Sequence, residues 1–154
     1  MSSESKSEQE LQEKVRRHAI WAVTLHNAGA AKAGLNASDA QALNLLQVHG
    51  MMTPGRLAEA MSLTTGGSIT ALIDRLEKAG MVRRVRDAAD RRRVLVEVVE
   101  EKAEALLRQF LPVNEAAWER LSGYTEEERQ VLIRFFDDVH ENVPSILADL
   151  RALP

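Results

Sequence analysis

The strand signal of this sequence is confined to one stretch. Met81 to Arg86 and Arg93 to Val99 are extended, β-branched runs, and Asp87-Ala88-Ala89-Asp90-Arg91-Arg92 between them reads as a hairpin loop. Elsewhere the apolar residues recur at helical period, so the chain is mainly α with one small β-hairpin. The hairpin is also where positive charge collects. Arg83 to Arg93 holds six arginines against two aspartates, a net +4 inside a chain of formal charge −3. An acidic protein that gathers arginine at one turn is suited to meet a polyanion at that turn.

Four helices are expected before the hairpin. Ser7-Glu8-Gln9-Glu10 has capping-box spacing, and Leu11, Val15, Ala22 and Leu25 follow it, which predicts a helix over 7–32 ended by Gly34. Asn36 or Ser38 caps a second helix over 37–49, with Leu43, Leu46 and Val48 inward and Gly50 as its stop. Thr53-Pro54 reads as N-cap plus first-turn proline of a short third helix reaching Met61. The fourth begins near Thr64 or Thr65 and ends at Ala79, before Gly80. Its Ile69, Leu72, Ile73 and Leu76 have the i, i+3, i+4, i+7 spacing of one buried face.

After the hairpin, Ala103 to Leu121 is helical, with Leu106, Leu107, Phe110 and Leu111 apolar and a kink expected at Pro112. Thr125-Glu126-Glu127-Glu128 is a capping box for a helix carrying Val131, Leu132, Phe135, Phe136 and Val139. Pro144 is expected to interrupt it, leaving a short terminal helix over 145–153.

Composition narrows the function. With 154 residues, 45% hydrophobic and 28% charged, the chain is one domain's worth of soluble globular protein. No apolar run reaches the ~20 residues of a membrane span, and the polar N-terminus lacks the core of a secretion signal. A cytoplasmic location is expected. There is no cysteine, which removes disulfides, thiolate zinc sites and thiol redox chemistry. His18, His26, His49 and His140 have no metal-ligand spacing, and Thr65-Gly66-Gly67-Ser68 lacks the lysine of a phosphate-binding loop. No nucleophile sits beside a base in a recognisable motif. The expectation is a protein that is not an enzyme and carries neither metal nor cofactor.

Short helices followed by a charged hairpin is the layout of a winged helix-turn-helix. Opposite the buried stripe of the fourth helix lie Gly67, Thr70, Ala71, Asp74 and Lys78, flanked by Ser68 and Arg75. The small N-terminal half of that face can approach base edges closely. An arginine-rich hairpin tip suits the minor groove, where arginine senses narrow width and negative potential. Asp87 and Asp90 are expected to direct guanidinium groups through bidentate pairs.

The run SITALIDRLEKAGMVRRVRDAADRRRVLVEV, Ser68 to Val98, resembles the recognition helix and wing of the MarR family of transcriptional regulators. The match is to a helix ending Asp-Arg-Leu-Glu, a glycine turn and a wing reading Asp-x-x-Asp-Arg-Arg, and it is specific over about 35–99. The resemblance implies that Thr65, Ser68 and Thr70 read the major groove and that Arg75 contacts phosphate. It also pairs Asp90 with Arg91 in the wing, Arg91 being the minor-groove residue, with Arg86 and Arg92 beside them. Asp74 falls at an acidic position that braces wing arginines. One departure is Val98-Val99-Glu100-Glu101-Lys102, which lacks the threonine that often caps the next helix in the family.

The resemblance further implies a homodimer held by its first and last helices. The chain then divides into a dimerisation helix over 1–34, a DNA-binding unit over 35–99 and dimerisation helices over 100–154, within one compact domain. Independently, the helices outside 35–99 carry more apolar side chains than that small unit can cover. The implied partners are a second copy of the chain, a pseudo-palindromic double-stranded DNA operator and a small anionic or aromatic effector that releases it, so that the protein acts as a repressor. His18, Trp21, Arg108 and Trp118 are the candidate effector residues. The competing reading is a dimer of the same fold that binds another protein instead of DNA. Salt dependence separates the two, because phosphate contacts release counterions.

Overall fold

The computed structural model describes residues 5–63, 66–108, 115 and 118–153. Its helices begin and end where local chemistry satisfies free backbone groups. α1 (Lys6–Lys32) starts at Ser5, whose hydroxyl accepts from the Glu8 N–H while the Glu8 carboxylate accepts from the Ser5 N–H. The capping box is thus Ser5-x-x-Glu8, two residues before the expected Ser7-x-x-Glu10. Both spacings fit, and with the earlier one the helix begins at Lys6, one residue before the expected start. α2 (Ala37–His49) is capped by Asn36 and α3 (Pro54–Ala60) by Thr53 ahead of its first-turn proline.

Three helices terminate alike. After α1 the N–H groups of Gly34 and Leu35 return to the carbonyls of Ala31 and Ala30. After α4 (Gly66–Lys78) those of Gly80 and Met81 return to Glu77 and Leu76. Gly34 and Gly80 take φ of +70° to close these turns. After α3 the same reversal falls on Ser62, at φ +55°, with Ser62 and Leu63 bonded back to Glu59 and Ala58. This turn joins α3 to α4.

β1 (Val82–Arg86) and β2 (Val94–Val98) pair antiparallel, with Arg84 opposite Val96 and Arg86 opposite Val94. Met52, in the link between α2 and α3, exchanges both backbone hydrogen bonds with Val96 (3.1 and 2.8 Å). This third short pairing, invisible in the strand pattern, stitches the hairpin to the helices. α5 (Glu100–Arg108) begins three residues before the expected Ala103. Val99 takes the place of the missing threonine cap, its carbonyl receiving the Lys102 and Ala103 N–H groups. Glu100 and Glu101 put negative charge at the positive end of the helix.

The core is made by Ala42, Leu43 and Leu46 of α2, Leu57 of α3, Met61, the α4 stripe Ile69, Leu72, Ile73 and Leu76, and Val82 and Val96 of the hairpin. Each large side chain buried here contributes ~1.5–3 kcal/mol, so the hairpin is anchored by packing as well as by Met52. Val48 departs from expectation. It is 77% exposed, because the buried side of α2 runs Asp39, Ala42, Leu43, Leu46, and Val48 lies two residues, about 200°, around from Leu46. α1 packs on α2, with Ala30 its buried residue.

The chain forms two compact units, Met1–Gln109 and Phe110–Pro154. The second contains α6 (Glu126–Ala152), opened by the Thr125–Glu128 capping box. Pro144 does not interrupt it; the helix continues through that position. The surrounding side chains are exposed, so the His140 carbonyl, which loses its helical donor to proline, can be hydrated. The expected kink at Pro112 lies outside the described residues. Among the described residues no helix is long and apolar enough to cross a membrane.

Candidate nucleic-acid interface

α4 owes its position to Ile69, Leu72, Ile73 and Leu76, which are buried against α2, α3 and β1. That burial turns Gly67, Ser68, Thr70, Ala71, Asp74 and Lys78 outward, all of them exposed. Ser68 and Thr70 thus lie on the outer face, as expected. Thr65 lies outside the described residues.

The wing arginines fall into two groups. Arg83 is hydrogen-bonded across the hairpin to Glu97. Arg84 is clasped by α4: its guanidinium bonds Asp74 (2.6 Å) and Glu77, and its backbone N–H donates to Glu77 at 3.1 Å. These bonds, Asp74 first and Glu77 after burial's opposing effect, hold the Arg84 guanidinium above its ordinary pKa. Arg93 lies 3.7 Å from Asp87. Arg86, Arg91 and Arg92 are exposed and make no ion pair among the described residues. Half of the arginines are therefore neutralised in building the wing, and the other half leave their charge at its end.

Asp87 and Asp90 do not make the bidentate pairs expected of them. The Asp90 carboxylate accepts from the Arg92 N–H (3.0 Å) and the Asp87 carboxylate from the Ala89 N–H (2.9 Å). In a loop this tight the backbone donors are nearer than any guanidinium, and the aspartates fold the turn. Asp74 does brace an arginine of the wing, Arg84.

Arg75 is held by a residue of α2. Its Nε–H and one Nη2–H donate to the two carboxylate oxygens of Asp39, at 3.2 and 2.7 Å. Asp39 is buried in the first turn of α2 and also accepts from the Asn36 side chain (3.0 Å). The Asp39 bond raises the Arg75 pKa above its ordinary value. Thirty-six residues separate the two in sequence, and no local pattern connects them. Glu77 was missed too, although its place in Asp-Arg-Leu-Glu, one turn after Asp74, puts both carboxylates on the side facing β1.

The four candidate effector residues are divided between the two units. His18 and Trp21 are exposed on α1, and Trp21 lies nine residues before Ala30, half a turn around from the side that meets α2. His26, nearer that side, bonds the Ala37 carbonyl at 2.9 Å. Arg108 ends α5, its side chain outside the description. Trp118 belongs to the second unit and is 67% exposed.

Two helices joined by a tight turn, the second presenting a small polar face, followed by an arginine-tipped hairpin, constitute a winged helix-turn-helix. Residues 33–93 match the family model described as MarR family. An uncharacterized HTH-type transcriptional regulator of Bacillus subtilis, YcgE, is 36% identical over 134 residues, 87% of this chain and 86% of the relative. A MarR family protein from Bacillus stearothermophilus superposes with a TM-score of 0.70 at 22% identity, covering 93% of this chain and 99% of that one. A mutant of MarR from E. coli complexed with operator DNA gives 0.54 at 22% identity, over 84% and 93%. The chain belongs to the MarR family of transcriptional regulators.

Proposed function

We propose that the protein is a homodimeric repressor that binds a pseudo-palindromic operator through α4 and the wing and is released by a small anionic or aromatic effector. The observation that carries the DNA-binding part is the division of the wing arginines. A hairpin that needed arginine only for its own stability would pair all six; among the described residues Arg86, Arg91 and Arg92 make no ion pair. In this reading Thr65, Ser68 and Thr70 meet base edges in the major groove, Arg75 contacts phosphate, and Arg91 enters the minor groove with Arg86 and Arg92 on the flanking backbone. Asp90 shapes the turn that carries Arg91.

The dimer is supported by unburied apolar surface within each unit. Leu11, Val15, Ile20, Val23 and Leu25 of α1 are exposed, as are Val131, Phe135, Phe136, Val139 and Ile146 of α6. A two-fold pair would cover such faces and set two α4 helices about one DNA turn, ~34 Å, apart. His18, Trp21, Arg108 and Trp118 remain the candidate effector residues.

Selection of DNA fragments by the purified protein tests the reading. Recovery of a two-fold symmetric sequence, bound with steep salt dependence, is the expected result. Binding without half-site symmetry or salt dependence would favour a protein-interaction role.

A further inference from the structure

Asp39 is the one buried charged side chain among the described residues. Its place is fixed from several directions. Its own N–H donates to the Asn36 Oδ1 at 2.8 Å, its carboxylate accepts from the Asn36 amide, and α2 is tied to α1 by the His26–Ala37 bond. The carboxylate is therefore a rigid platform, its side chain 7% exposed, whereas that of Arg75 is 51% exposed.

A guanidinium has five N–H donors in a fixed plane. Asp39 takes the edge formed by Nε and Nη2. The Arg75 guanidinium makes no other hydrogen bond among the described residues, so both Nη1 hydrogens and the second Nη2 hydrogen are left. One Nη1 hydrogen and that Nη2 hydrogen form the adjoining edge, which has the two-pronged geometry that fits a phosphate. An arginine free on a helix surface spreads over many rotamers; one gripped along its inner edge presents its outer edge in one direction.

We propose that Asp39 is a positioning residue for DNA binding, holding Arg75 so that its Nη1–Nη2 edge is ready for a backbone phosphate. The proposal rests on the DNA-binding reading above and assigns a carboxylate to the binding machinery of a polyanion. That gives it a sign opposite to simple electrostatics. Removing a negative charge near DNA strengthens binding if charge alone matters, and weakens it if Asp39 works by orienting Arg75.

The test uses full-length protein and two duplexes, the sequence recovered by selection and a random one, with folding checked by circular dichroism. Asp39→Asn keeps the size and most hydrogen-bonding capacity of the residue. It is expected to weaken both duplexes about ten-fold, the scale of a charge-assisted hydrogen bond, and to flatten the salt slope by about one unit. Arg75→Lys keeps the charge without the fork and should show a similar loss; it decides the matter if Asp39→Asn fails to fold. In an Arg75→Ala background Asp39→Asn should cost nothing further. Tighter or unchanged binding by folded Asp39→Asn, wild-type binding by Arg75→Lys, or an undiminished effect of Asp39→Asn without Arg75 would each overturn the proposal. Wild-type protein that binds neither duplex would instead overturn the DNA-binding reading itself.

Discussion

Arg84 and Glu77 are joined twice. One Glu77 carboxylate accepts both the backbone N–H of Arg84 and its guanidinium, so the base of the wing is tied to the last turn of α4 by main chain and side chain together. Asp74 adds a bond to the same guanidinium. α4 and the wing thereby share one joint, and disturbing it should move one relative to the other.

Glu77→Ala is therefore expected to do more than delete a surface ion pair. Loss of the pair alone costs ~0–1 kcal/mol, and the abandoned Arg84 N–H adds to it, for ~1 kcal/mol overall. Urea unfolding gives the total, and hydrogen exchange at Arg84 gives the local part. A variant with wild-type stability and unchanged protection at Arg84 would mean that packing of Val82 and Val96 alone seats the wing.

The wing arginines should separate by their pairing. Arg91→Ala is expected to weaken operator binding by about 1–3 kcal/mol, most at sites with a narrow A·T-rich minor groove beneath the wing. Arg86→Ala and Arg92→Ala should each flatten the salt slope by about one unit. Arg93→Ala, whose charge already faces Asp87, should leave the slope nearly unchanged. Equal slopes for all four variants in a fluorescence titration would contradict the division.

Much of this architecture was legible because it is written in local rules. Thr53-Pro54, Thr125-x-x-Glu128, the α4 stripe and Gly80 each act over one or two turns, and each marks the element it should. What escaped is what local rules do not contain. The Asp39–Arg75 pair and the Met52–Val96 pairing join residues far apart in sequence, and only tertiary packing decides that they meet. Val48 is apolar yet turned outward, because helical phase and not hydrophobicity decides which side of α2 is buried. Pro144 has the local signature of a break, but an exposed helix can hydrate the carbonyl it orphans, and the helix runs on. For the site, residue types and positions were visible in the arginine run, but which arginines are neutralised was not.

Ser62 offers a test of the turn between α3 and α4. At φ +55° a residue with a Cβ costs ~1–2 kcal/mol relative to glycine, while glycine costs ~0.5–1 kcal/mol more to order. Measured against Ser62→Ala, which removes the same hydroxyl, Ser62→Gly should be the more stable by the difference, ~0.5–1 kcal/mol. Gly80→Ala should do the reverse: at φ +70° a new Cβ would meet nothing closer than the Lys102 Cε at 4.0 Å, so the loss comes from backbone strain alone. Thermal unfolding of the three variants checks the pair, and opposite signs are required.

Glu126, in the first turn of α6, has its pKa lowered below the ordinary 4.5, first by the Gln130 side-chain bond and then by Arg129. A carboxyl more acidic when folded stabilises the fold above its unfolded pKa, and that contribution disappears as pH falls through the folded value. The stability difference between wild type and Glu126→Gln should thus be constant at neutral pH and shrink below about 4.5. A difference that persisted into strong acid would show that the Glu126 charge is not its source.

The chain's two tryptophans give the proposed effector binding a direct readout. Trp21 and Trp118 are 60% and 67% exposed in the single chain, so anything that covers them should change their emission. Dimer formation is expected to do so first, and since apolar faces make the contact in the proposed dimer, it should persist at 0.5 M salt, where the Debye length is only ~4 Å. Light scattering that gave a monomer there would contradict this. An effector should then produce a second change in the dimer, saturable and accompanied by loss of DNA. It need not touch α4: two reading heads set for half-sites ~34 Å apart cannot both engage if their separation shifts by a few ångströms. Coupling of ~1–3 kcal/mol, or ~5–150-fold in affinity, is the expected scale. Aromatic carboxylates and phenols are the compounds to screen, since their ring and charge match Trp21, Trp118, His18 and Arg108. Any compound that quenches should be repeated on Trp21→Phe and Trp118→Phe, with DNA release measured in parallel. Undiminished release from both variants would place the effector away from the tryptophans, whereas loss of coupling in one would identify which of them it meets.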